Sequence, residues 1–238
     1  MAIRARRPWR PATIRPVDSR YDIVLARPLS DLVTITGARA ATSSGEHVAA
    51  KLASDLANTE RVVVAGGAYG IEGAAHRAAL ASGGDTIAVM ANGVDRMYPM
   101  GHRELLERVA NLGLMVSEVP PGAVPTRHRF IARARLMAAL SATTVVVEAG
   151  VRSGSMTVAR RAHELGRTVG AVPGPVTSAT STGPHHLLQD GLTRLVTESA
   201  DLVSPRRRDS ATAIRTSAAS RGSGRLTTAT ESVSARGL

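Results

Sequence analysis

Between Leu32 and Val203 short β-branched runs alternate with alanine-rich stretches of helical period, and no internal repeat interrupts the rhythm. Strands are predicted at 32–36, 61–65, 86–90, 114–118, 144–148, 168–172 and 193–196, each followed by a helical pattern. Ser43 and Glu46 read as a capping box, after which Val48, Leu52 and Leu56 fall on one helical face. Leu105, Leu106, Val109 and Leu112 repeat that face before Gly113, and the pattern from 156 to 165 stops at Gly166. Both glycines suit a left-handed cap. Strand, helix, strand in this order predicts an α/β, Rossmann-like fold: a mainly parallel sheet with helices on both faces.

At 238 residues and 43% hydrophobic the chain can bury one substantial core. Three segments are expected: a basic N-terminal arm over 1–27, a core over 28–203 and a disordered tail over 204–238, rich in Ser, Thr and Arg. The net charge of +11 is uneven. Each end holds seven Arg against two acids, which leaves the core nearly neutral. Such arms are candidates for salt-sensitive contacts with a polyanion. The chain has no cysteine, which excludes disulfides and thiolate metal sites. No apolar run approaches the roughly 20 residues that span a bilayer, so the expectation is a cytoplasmic protein with no membrane association.

The predicted strands lead into glycine-bearing turns: Gly37-Ala38-Arg39, Gly66-Gly67-Ala68-Tyr69-Gly70, Asn92-Gly93, and Gly150 through Ser153-Gly154-Ser155. In an open parallel sheet such turns share one edge, where bare amides and helix dipoles favour anions. Phosphate is the natural guest. The loops match neither the G-x-x-x-x-G-K-[ST] nor the G-x-G-x-x-G pattern, so no nucleotide cofactor is expected. Arg39 follows the first predicted strand and is placed to reach that edge. Arg127, Arg129, Arg133 and Arg135 crowd one helical segment, in which Arg129 and Arg133 at i, i+4 can present two guanidinium groups to successive phosphates. Phe130, the only phenylalanine, either stacks on a base or anchors its helix. Ser153 and Ser155 either cap the following helix or bind phosphate. The seven histidines lack metal-ligand spacing, so no metal is expected. Glu118 and Glu148, both at predicted strand ends, could form an acid/base pair, the one catalytic arrangement on offer.

The ordered motifs resemble the DprA/Smf DNA-processing family from about Val33 to Val196. They include Thr34-Ile35-Thr36-Gly37-Ala38-Arg39, Val64-Ala65-Gly66-Gly67-Ala68-Tyr69-Gly70-Ile71-Glu72 with Ala75-His76, Tyr98-Pro99, Ser117-Glu118-Val119-Pro120, Arg152-Ser153-Gly154-Ser155 and Ala171-Val172-Pro173-Gly174. The resemblance implies a homodimer that binds and protects single-stranded DNA without sequence preference and helps load the RecA recombinase in natural transformation, with no catalysis. It implies DNA contacts at Arg39, at Phe130 to Arg135, and at Gly67 and Ser153. Gly37, Gly66, Arg129, Gly154 and Ser155 complete the candidate site. The family's F-P-x-R-N-R stands here as Phe130-Ile131-Ala132-Arg133-Ala134-Arg135, and Met100 replaces a lysine after Tyr98-Pro99. Against that resemblance, basic arms are expected where family members often carry an N-terminal helical and a C-terminal winged-helix domain. The rival reading is a nucleotide-binding enzyme like the cytokinin-activating phosphoribohydrolases, whose P-G-G-x-G-T-x-x-E motif has no counterpart here; a small-nucleotide sensor is a third.

Overall fold

The computed structural model describes residues 2–4, 27–191 and 193–203. The tail over 204–238 and most of the N-terminal arm lie outside the described residues. Among the described residues eight strands form one sheet: β1 (Ala2–Arg4), β2 (Leu32–Thr36), β3 (Val62–Gly66), β4 (Thr86–Met90), β5 (Leu114–Ser117), β6 (Thr143–Val146), β7 (Thr168–Ala171) and β8 (Arg194–Leu195). Their spatial order is β1-β5-β4-β3-β2-β6-β7-β8. Strands β2 to β8 are parallel, whereas β1 runs antiparallel to β5. That edge strand comes from the segment read as a polar arm; three residues carry no periodicity that a sequence pattern could register.

Among the described residues six α-helices join the strands: α1 (Ser43–Asn58), α2 (Ile71–Ala81), α3 (Arg103–Leu112), α4 (Arg127–Ala139), α5 (Gly154–Glu164) and α6 (Thr182–Gln189). Alternation along the strands divides the core between two faces. Val62, Val64, Ile87 and Val89 pack with Ala134, Met137 and Met156 of α4 and α5. On the other face Val33, Ile35 and Val63 pack with Leu52, Leu56 and Ile71 of α1 and α2, while Met90 and Met115 meet Leu105, Leu106 and Val109 of α3. Strands buried on both faces explain the unbroken apolar runs in the sequence.

Helix signals hold with two corrections. Thr42, not Ser43, caps α1: its side chain accepts from the Gly45 N–H, so the cap sits one residue early and the expected Ser43–Glu46 box does not form. Gly113, at φ −124° and ψ −138°, is not left-handed. Its missing side chain is required because a Cβ there would collide with the Thr86 carbonyl. Gly166, at φ +67°, is left-handed as expected.

The chain reverses direction across the sheet at β2. From there β3, β4 and β5 build outward on one side and β6, β7 and β8 on the other. A doubly wound sheet opens a crevice at such a switch point, beyond the strand C-termini. The long connection from β5 to β6 carries α4 back across the sheet to that crevice.

Candidate nucleic-acid interface

The loops after β2, β3 and β6 converge at the switch point, and α4 roofs them. A groove open to solvent is lined by Gly37 and Arg39 of the β2 loop, Phe130 and Arg133 of α4, and Ser153, Gly154 and Ser155 at the start of α5. A second hollow of about 410 Å³ shares Arg39, Ala68, Phe130 and Arg133 with it and adds Gly67, Asn92 and Tyr98. The two therefore form one trough along the rim. Ser153 caps α5, its hydroxyl accepting from the Ser155 N–H, and nothing lies within 4 Å of where a Gly154 side chain would start. The helix start is thus open toward the trough, with its dipole positive end there.

Phe130 is half-buried, with the Arg39 guanidinium carbon 5.0 Å and the Arg133 guanidinium carbon 5.3 Å from its ring centroid. Both distances suit cation–π attraction. Tyr98 stands 6.3 Å from Phe130 by ring centroids. Arg39 is exposed, and among the described residues no carboxylate pairs with it. Arg133 is the opposite case: its side chain is 11% exposed and its Nη2 lies 3.6 Å from Glu72 Oε1. Glu72 is buried, accepting from the Thr36 hydroxyl at 2.9 Å and the Ala68 N–H at 3.1 Å.

Gly66 does not line the trough. It lets the Glu72–Arg133 pair close, since a Cβ there would overlap Arg133 Nη1 and Glu72 Oε2. Two buried histidines hold the glycine turn from beneath. His76 Nε2 bonds the Gly66 carbonyl at 2.9 Å, and His102 Nδ1 bonds the Gly67 carbonyl at 3.2 Å. Because carbonyls only accept, both ring nitrogens carry hydrogen. Desolvation lowers the His76 pKa from 6.5 to about 4, against the Gly66 hydrogen bond and the Glu72 charge, which raise it. Desolvation also lowers that of His102.

The expected Arg129–Arg133 pair of phosphate ligands is not what the helix presents. Arg129 donates back to the Val124 carbonyl beneath the first turn of α4, while Arg133 turns inward to Glu72. Arg135 is exposed and pairs with Glu118 at 2.6 Å. Spacing of four residues placed the arginines on adjacent turns, but their partners lie on other elements. Glu118 and Glu148 are likewise not an acid/base pair. They follow β5 and β6, four strand spacings or roughly 19 Å apart. Glu148 accepts from the Thr42 N–H at 2.9 Å and the Thr42 hydroxyl at 2.5 Å, so the start of α1 already holds an anion. Among the described residues no group of three His, Cys, Asp or Glu is placed to hold a metal ion, and no helix is long and apolar enough to cross a membrane.

Sequence reading missed Thr36, Glu72, Tyr69 and Tyr98 as rim residues. An acid in a first helical turn signals only helix stabilisation, and the two tyrosines are each more than 40% exposed, which no pattern of neighbours discloses. The family's proline and asparagine positions hold Ile131, exposed, and Ala134, packed in the core; Met100 is 67% exposed.

Fold and rim together define a Rossmann-like α/β protein with an arginine-lined trough at its switch point. Residues 25–206 match the family model of DNA recombination-mediator protein A. The chain belongs to that family, the DprA/Smf DNA-processing proteins. It is 57% identical over 169 residues to a putative DNA processing protein DprA of Mycobacterium tuberculosis, covering 71% of this chain and 43% of that protein. Identity to the Streptococcus pneumoniae DNA processing protein DprA is 42% over 171 residues, 72% of this chain and 60% of that one. The chain thus spans about two fifths to three fifths of these relatives. The solved structure of the Streptococcus pneumoniae protein superposes with a TM-score of 0.69 over 73% of this chain and 61% of that one. A Helicobacter pylori DNA processing protein A, solved to describe its single-stranded DNA binding mode, is 28% identical with a TM-score of 0.68 over 81% of this chain and 93% of that one.

Proposed function

We propose that this chain binds single-stranded DNA by its sugar-phosphate backbone in the switch-point trough, without sequence preference, protecting the strand and assisting RecA loading in recombination or DNA uptake. The observation that carries the reading is Arg39: an exposed guanidinium over Phe130, facing the open start of α5 across one groove. A phosphate there would take a charge-assisted hydrogen bond from Arg39 and share the amides at Ser153–Ser155, while Phe130 and Tyr98 offer rings to a neighbouring base. Backbone contacts of this kind carry no sequence information. The Helicobacter pylori relative's DNA binding lends the reading further support.

The protein on this reading is a binder rather than an enzyme, needs no cofactor, and works in the cytoplasm as a homodimer; the partner, dimer and compartment rest on the family relationship. Fluorescence anisotropy with labelled oligo-dT tests the core of it. Binding should weaken linearly as log salt rises, and Arg39→Ala should lower affinity at least several-fold while making the slope shallower by about 0.7. Absence of binding to any single strand at low salt would discard the function.

A further inference from the structure

We infer that Glu72 sets the charge of the trough to suit a single phosphodiester, and so gives a 5′-phosphorylated end no advantage over an internal position of the strand. The inference rests on the reading of the trough as a single-stranded DNA site. Among the described residues the charged side chains lining the two hollows are Arg39 and Arg133, which line both, and Glu72, which lines the larger. Two guanidinium groups and one carboxylate leave one net positive charge, the complement of one phosphodiester.

The carboxylate is held in place for this task. Glu72 sits 3% exposed beneath the rim, one oxygen bonded to Thr36 and facing Arg133, the other bonded to the Ala68 N–H. It cannot swing away without stranding those donors in a buried setting. Gly66 keeps the space in which carboxylate and guanidinium meet. At 3.6 Å the pair is loose enough for Arg133 to remain a lining residue of the groove, yet close enough to offset its charge. Once a phosphodiester has neutralised the remaining charge, a second negative charge on the same phosphate meets no net attraction. A terminal phosphomonoester carries that second charge above its second pKa, about 6.

The test compares 5′-hydroxyl and 5′-phosphorylated short oligo-dT on the full chain, wild type and Glu72→Gln, by anisotropy across a salt series. Wild type should bind both equally. The variant should favour the phosphorylated strand by about fivefold, with a salt slope steeper by about 0.7 as Arg133 becomes available to phosphate. A folded Glu72→Gln protein, with its thermal midpoint retained, that weakens both oligonucleotides in parallel would overturn the inference and leave the carboxylate a structural brace. Should the variant fail to fold, wild type decides alone. The ratio of the two affinities should stay constant from about pH 5 to about pH 8 as the terminal phosphate gains its second charge, and a rise of about fivefold would overturn the inference. If wild type bound neither strand, the reading of the trough itself would fall; binding without the Glu72 effect removes only the charge matching.

Discussion

His76 shows how a single residue couples groove architecture to stability. Its ring is fully buried between the Gly66 carbonyl and the Thr86 hydroxyl, and burial keeps it neutral down to about pH 4. Between its unfolded pKa near 6.5 and about 4, the unfolded chain takes up a proton that the folded chain refuses. Stability therefore falls as pH drops through that window, by about 3 kcal/mol across it. Urea denaturation at pH 7 and near pH 4.5 should show this loss, and His76→Gln should flatten the difference; an equal loss in both proteins would assign it to other groups. The residue's presence in a helix was visible in the sequence. Its role was not, because its two hydrogen-bond partners come from β3 and β4, and helical spacing says nothing of what lies under a helix.

At the scale of elements the starts of α1 and α5 differ in their consequences. Both follow a glycine turn at the same rim, and sequence reasoning treated them alike. Tertiary packing brings Glu148 from the end of β6 onto the Thr42 cap of α1, leaving α5 as the open start. Thr42→Ala should thus cost about 1 kcal/mol of stability, as lost N-caps do, and thermal or urea melts would measure it. Oligo-dT affinity should remain unchanged. A large drop in affinity with little loss of stability would instead place the start of α1 among the ligand contacts. The helix and strand identities themselves were legible, since long periodic segments declare their type; the slips at Thr42 and Gly113 concern ends, where one residue's packing decides.

The whole molecule separates the trough from the points near Arg27 and Leu202 where the core runs on into the two basic segments, while β1, within the first segment, pairs as far as Ser117 at the rim end of β5. Arg27 reaches Glu60 and Asp85, which precede β3 and β4, and the Leu202 carbonyl accepts from Thr143, the first residue of β6. Both lie at the N-terminal edge of the sheet, opposite the rim, across strands about 16 Å long. Removal of residues 204–238, with seven arginines, should weaken oligonucleotide binding several-fold and make its salt dependence shallower. Its effect should add to that of Arg39→Ala within about 0.5 kcal/mol, as expected of sites without shared partners. A double variant no weaker than either single one would show instead that the tail acts through the groove.

The sequence by itself determined the class of fold, the run of strands and helices, the glycine turns after the strands, and the family through their ordered motifs. These are properties of local period and of residues adjacent in the chain. Only the tertiary structure decided that β6 returns beside β2, that α4 crosses back to roof the crevice, and that Arg133 faces a buried Glu72 while Arg39 stays open. Charge pairing depends on which elements meet in space, and residues 72 and 133 are brought together by the winding of the sheet rather than by any spacing along the chain.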